Sequence, residues 1–188
     1  MTEKKETVDQ KHPKEKRGLI HLYYGDGKGK TTASIGLATR ARGRQFRVIF
    51  ATFLKPGTSG ELSSLRTIGV NVLSGQPVNK FVFQMSDEEK EETRRNIESL
   101  FQQAVNASQH GVDLVIFDEI VGVLELNMLN EQDVLHFLKT KPPHLEVVLT
   151  GRNPSQALID VADYASEITM RKHPYETSGL MARKGIEF

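Results

Sequence analysis

Short runs of apolar residues alternate along the chain with longer stretches in which apolar residues recur every three or four positions. The first run, 19–24 (LIHLYY), stops at glycines, as a buried strand does. Residues 31–42 (TTASIGLATRAR) then read as a helix with Ala33, Ile35, Leu37, Ala38 and Ala41 on its apolar face and Gly43 as its stop. Residues 47–54 (RVIFATFL) form a second buried run, followed by a turn-forming loop at 55–61. A short helix at 62–68 and a weak strand at 70–73 come next. Phe81 and Phe83 alternate as core aromatics of a short strand would, and could also form an apolar wall for a ligand. Ser86 and Glu89 make a capping box. The helix it opens carries Ile97, Leu100, Phe101, Ala104 and Val105 as one stripe. A strand at 112–117 (VDLVIF) ends at Asp118-Glu119, and a helix follows around 131–139. A strand at 146–150 (EVVLT) ends at Gly151-Arg152. A helix at 154–162, a last strand at 167–171 and a polar, turn-rich tail at 172–188 complete the pattern.

Strands alternating with helices predict an α/β fold with a mostly parallel central sheet and helices on both faces. Ligands of such sheets bind beyond the carboxyl ends of the strands. Three segments with chemical potential fall there: residues 25–32, Asp118-Glu119 and Gly151-Arg152.

Composition narrows this picture. The 188 residues suit one domain with a tail: a flexible arm at 1–17, of mixed charge and few large apolar residues, and a folded domain at 18–188. A net charge of +1 with no basic stripe calls for neither nucleic acid nor a membrane surface. Without cysteine there is no disulfide framework, thiolate metal site or cysteine nucleophile. No apolar run approaches the roughly 20 residues that span a bilayer, and the N-terminus lacks a signal-peptide core. A cytoplasmic location is expected.

Candidate chemistry centres on GDGKGKTT. The phosphate-loop pattern G-x-x-x-x-G-K-[ST] places its first glycine at position 24, where this chain has Tyr24; Gly25 comes one residue late. The context, a strand before and a helix after, is otherwise that of a P-loop NTPase-like, three-layer architecture. Gly25, Asp26, Gly27, Lys28, Gly29, Lys30, Thr31 and Thr32 would surround a polyphosphate with backbone amides and cationic charge. Thr31 and the pair Asp118 and Glu119 would hold Mg²⁺ or Mn²⁺. Arg152 stands at a strand end where it can meet a phosphate. The histidines show no metal-ligand spacing. These residues alone leave open an ATPase or kinase using Glu119 to polarise its acceptor, and a binding protein without turnover.

In order along the chain, GDGKGKTTASIGLATRARG, VIFDE, LEVVLTGR and ADYASEITMRKHPYE…KGIEF resemble the P-loop type of ATP:corrinoid (cob(I)alamin) adenosyltransferases. The late glycine and the closing KGIEF are features of that family. The resemblance implies attack by a Co(I) corrinoid on the 5′ carbon of ATP, giving adenosylcobalamin and triphosphate. It implies that residues 25–31, Lys30 above all, hold the triphosphate, and that Thr31 with Asp118 or Glu119 positions the divalent ion. It makes Phe81 and Phe83 the aromatic pair on the lower face of the corrin. It also implies a homodimer, an electron donor such as a reduced flavoprotein, and an arm able to cover the corrinoid. A storage or delivery paralogue without catalysis stays open beside it.

Overall fold

All strand pairs are parallel in the computed structural model, which describes residues 17–54, 59–75 and 84–187. The strands are β1 (Ile20–Tyr24), β2 (Val48–Thr52), β3 (Asn71–Ser74), β4 (Leu114–Asp118), β5 (Glu146–Thr150) and β6 (Tyr164–Glu167). The helices are α1 (Lys30–Arg42), α2 (Gly60–Thr67), α3 (Asp87–Ser108), α4 (Ile120–Glu125), α5 (Glu131–Thr140), α6 (Gln156–Val161) and α7 (Pro174–Ser178). The sheet order is β3-β2-β4-β5-β1-β6, so β5 lies between the glycine-loop strand and the acid-ended strand.

Strands β2 and β4 are buried at every position, which is why they read as unbroken apolar runs. On one face, Ala38 and Ala41 of α1 and Leu62 and Leu65 of α2 pack with Phe50, Ile116 and Val148. On the other, Leu100 and Phe101 of α3 and Val134 and Phe137 of α5 pack with Ala51, Phe117 and Leu149. This is the expected three-layer α/β architecture. Phe117 anchors the second face, with ring centroids 5.6 Å from Phe101 and 5.7 Å from Phe137. The capping box of α3 forms: Glu89 N–H donates to Ser86 Oγ, and Ser86 N–H to Glu89 Oε2.

Four expectations change. The last strand is 164–167, not 167–171, because its register on β1 ends at Tyr24 opposite Glu167 and the next backbone groups turn to the glycine loop. Helix α1 buries Ser34, Ala38 and Ala41, whereas Ala33 is exposed; small residues at this spacing let the helix lie close to the sheet. Helix α4 has too few residues for its periodicity to show, although Ile120, Val121 and Val123 are all buried. Helix α7 lies in the tail read as turns; it is wholly exposed and carries no apolar stripe, but His173 Nδ1 accepts the Tyr175 N–H and Pro174 occupies its first turn. The strand expected at Phe81 and Phe83 and nearly all of the arm lie outside the described residues.

Candidate active site

The glycine loop begins late because β1 ends late. Tyr24 is still in the sheet, opposite Glu167, and its carbonyl accepts the Ile168 N–H at 2.7 Å. The turn therefore starts at Gly25, whose φ of 108° favours glycine. A Cβ there would stand 2.6 Å from Ile168 O, and one on Gly27 2.7 Å from the same oxygen. Residues 168–170 back the loop directly. Gly27 N–H donates to Ile168 O at 2.7 Å, and Met170 N–H to Asp26 Oδ1 at 2.8 Å. Gly25 N–H donates to Arg152 O at 3.0 Å, tying the loop to the segment after β5.

Lys30 Nζ sits inside this loop and donates to Gly25 O and Gly27 O, both at 2.7 Å. Burial pulls its ammonium below the ordinary 10.5, with the nearby Glu119 carboxylate opposing that shift and Arg152 adding to it. The first turn of α1 carries no acidic residue, so its amides present an uncancelled positive end to an anion.

The acids meet the loop through hydroxyls. Thr52 pairs with Asp118, and Phe117 with Leu149, so Thr52, Asp118 and Thr150 end three adjacent strands on the face that carries α1. Asp118 is fully buried, and its Oδ1 accepts from Thr31 Oγ1 and from Thr150 Oγ1, each at 2.9 Å. Glu119 follows at φ 65°, a left-handed conformation uncommon for a residue with a side chain. Its N–H donates to Thr150 Oγ1 at 2.9 Å.

A cavity of about 630 Å³ opens above these groups, walled by residues 26–32, Glu119 and Arg152. Glu61 and Ser64 of α2 close one side, and His173 with Gly185, Ile186 and Glu187 of the tail another. Lys28 Nζ donates to Glu187 Oε1 at 2.8 Å, and Arg183 reaches the same oxygen at 3.2 Å. Arg183 and then Lys28 hold the Glu187 carboxyl down to about 2.

Thus Asp26, Lys28, Gly27, Gly29, Lys30, Thr31, Thr32, Glu119 and Arg152 come together on one cavity. Gly25 lies beneath it against Ile168, and Asp118 lies behind Thr31. Phe81 and Phe83 are outside the described residues. Sequence reading missed Thr150 and the backing by residues 168–170, which only the sheet order brings to the loop. It also gave no role to Glu187, although the closing KGIEF stood out as a motif.

A glycine loop folded over a lysine at the head of a helix, and joined by a hydroxyl to an acid ending another strand, defines the P-loop class of nucleotide-binding proteins. The family model for the ATP:corrinoid adenosyltransferases BtuR/CobO/CobP matches residues 16–188, and the chain belongs to that enzyme family. It is 31% identical to the corrinoid adenosyltransferase CobA of Salmonella typhimurium over 98% of this chain and 93% of that one. Identity to the corrinoid adenosyltransferase of Escherichia coli K12 is also 31%, with the same coverage. The corrinoid adenosyltransferase of Pseudomonas aeruginosa is 29% identical over 100% of this chain and 93% of its own. Among the described residues no helix is long and apolar enough to cross a membrane.

Proposed function

We propose that this protein transfers the 5′-deoxyadenosyl group of ATP to the Co(I) of a reduced corrinoid. The observation that carries the reading is the Thr31–Asp118 hydrogen bond under a lysine-centred loop, in a chain that matches an adenosyltransferase family over its folded length. The cobalt lone pair forms the Co–C bond as the C5′–O bond breaks, and that electron pair leaves on triphosphate. Attack at carbon makes the entire triphosphate the leaving group, so its developing charge must be met where it forms. The loop supplies the Lys30 ammonium, the α1 N-terminus and backbone amides other than those of Gly25 and Gly27, which are already bonded to Arg152 O and Ile168 O, and Arg152 supplies a further cation. The corrin contributes the nucleophile; the protein contributes placement of C5′ and exclusion of water.

Thr31 and Asp118 offer hard oxygen donors 2.9 Å apart, which fits Mg²⁺ or Mn²⁺ shared with substrate phosphates, and Glu119 stands beside them. When bound, the ion neutralises charge on the departing phosphates. We assign Phe81 and Phe83 to the lower face of the corrin, where an apolar pair would disfavour an axial ligand and ease reduction of Co(II). Phe83→Ala is expected to slow turnover from Co(II) far more than turnover from chemically prepared Co(I); equal losses would make the residue structural. A homodimer, a reduced flavoprotein as electron donor, an arm at 1–17 covering the corrinoid ahead of a domain at 18–188, and a cytoplasmic location complete the proposal.

The test is product analysis with ATP, Mg²⁺ and reduced cobalamin. Triphosphate and the spectrum of a cobalt–carbon bond are expected, both dependent on the corrinoid. ADP and phosphate formed without corrinoid would replace this reading with an ATPase, and nucleotide binding without products would replace it with a binding protein.

A further inference from the structure

The geometry assigns Thr150 a positioning role: its one hydroxyl sets the placement of both acids of the site. The hydroxyl has a single proton, which goes to Asp118 Oδ1; its lone pair then takes the Glu119 N–H. Asp118 Oδ1 thereby receives a second hydrogen bond beside the one from Thr31 in α1. Glu119 is held through its backbone at the left-handed turn that starts α4. The end of β5 lies hard against that turn. A Cβ on Gly151 would fall 2.4 Å from Val121 Cβ and 3.0 Å from Gly122 N. Thr150 itself is fully buried and absent from the cavity wall, so it acts through its two neighbours and touches no substrate.

This assignment rests on the proposed reading of Thr31 and Asp118 as the pair that holds a divalent ion. A buried hydroxyl that orients a metal-holding carboxylate governs affinity for the ion more than affinity for the bare nucleotide. Valine keeps the shape of threonine and removes the hydroxyl; serine keeps the hydroxyl and removes a methyl.

The test is calorimetric titration of the full chain with ATP, across a Mg²⁺ series and in EDTA, for wild type, Thr150→Val and Thr150→Ser. Thr150→Val is expected to raise the Mg²⁺ concentration for half-maximal tight ATP binding about 10- to 100-fold, leaving ATP affinity in EDTA within about twofold. Thr150→Ser is expected to restore most of the Mg²⁺ dependence. Unchanged Mg²⁺ dependence in Thr150→Val overturns the assignment. So does a serine variant as impaired as the valine one, or a parallel fall of affinity in EDTA. Where Thr150→Val does not fold, Thr150→Cys, similar in size and a weak donor, carries the same expectation; failure of both to fold makes the residue structural and overturns it. Wild-type binding indifferent to Mg²⁺ would instead remove the metal reading on which the assignment stands.

Discussion

At the scale of single residues, Lys30 has two tasks. Its ammonium bridges Gly25 O and Gly27 O and so fixes the loop's shape, and it supplies the charge that a departing triphosphate requires. Lys30→Ala is expected to lower kcat about 10²- to 10³-fold in a triphosphate-release assay, the scale for losing one donor to developing charge. Burial lowers its pKa, so the charge is lost at a lower pH than for an ordinary lysine. ATP affinity is expected to fall as pH rises through that range, below 10.5, and Lys30→Arg, which stays charged, should flatten the decline. The loop residues were legible because three glycines, two lysines and two threonines within eight positions encode the chemistry locally. Thr150 was not: its partner Asp118 is 32 residues away, and no spacing rule links a strand-ending threonine to it.

At the scale of elements, the loop takes its shape from chain that follows β6. The sequence pattern located every strand of the sheet but set the last one three residues late, because Ile168 and Met170 are apolar without belonging to the ladder. Their backbone groups serve Gly27 and Asp26 instead. The tail is likewise tied down by Glu187, through Lys28 and Arg183. Glu187→Gln is expected to speed tryptic cleavage after Arg183 and Lys184 while thermal stability stays close to wild type; unchanged cleavage would mean that other contacts hold the tail. At the opposite end of β5, burial pushes the Glu146 carboxyl up, but hydrogen bonds from His21 and the Leu19 N–H outweigh it and keep the group below the ordinary 4.5. A carboxyl lowered on folding stabilises the protein above the unfolded value and stops doing so as pH falls through the folded one. The stability difference between wild type and Glu146→Gln, from urea denaturation, is expected to hold steady above pH 4.5 and to shrink below it.

At the scale of the molecule, a rigid parallel sheet holds the loop, the acids and Thr150 in one row of strand ends. Two apolar layers secure it, and Phe117, in contact with Phe101 and Phe137, is central to the larger. Phe117→Ala is expected to cost about 3 to 5 kcal/mol in chemical denaturation. The fold class was legible because β2, β4 and β5 are apolar runs bounded by turns, and α3 carries an apolar stripe from Ile97 to Val105. The sheet order was not, since buried strands of similar composition do not announce their neighbours. That order brings β5 between the loop and the acids and makes one site of segments more than 80 residues apart, as the 87 residues from Thr31 to Asp118 illustrate. The central claim is that the bond broken is C5′–O, with triphosphate leaving from carbon. ATP labelled with ¹⁸O at the oxygen bridging C5′ and the α-phosphorus tests it directly, with reduced cobalamin as acceptor and mass spectrometry of the products. The label should be recovered wholly in triphosphate. Label retained on an adenosine-containing product such as ADP, with unlabelled phosphate released, would place the chemistry at phosphorus and contradict the account.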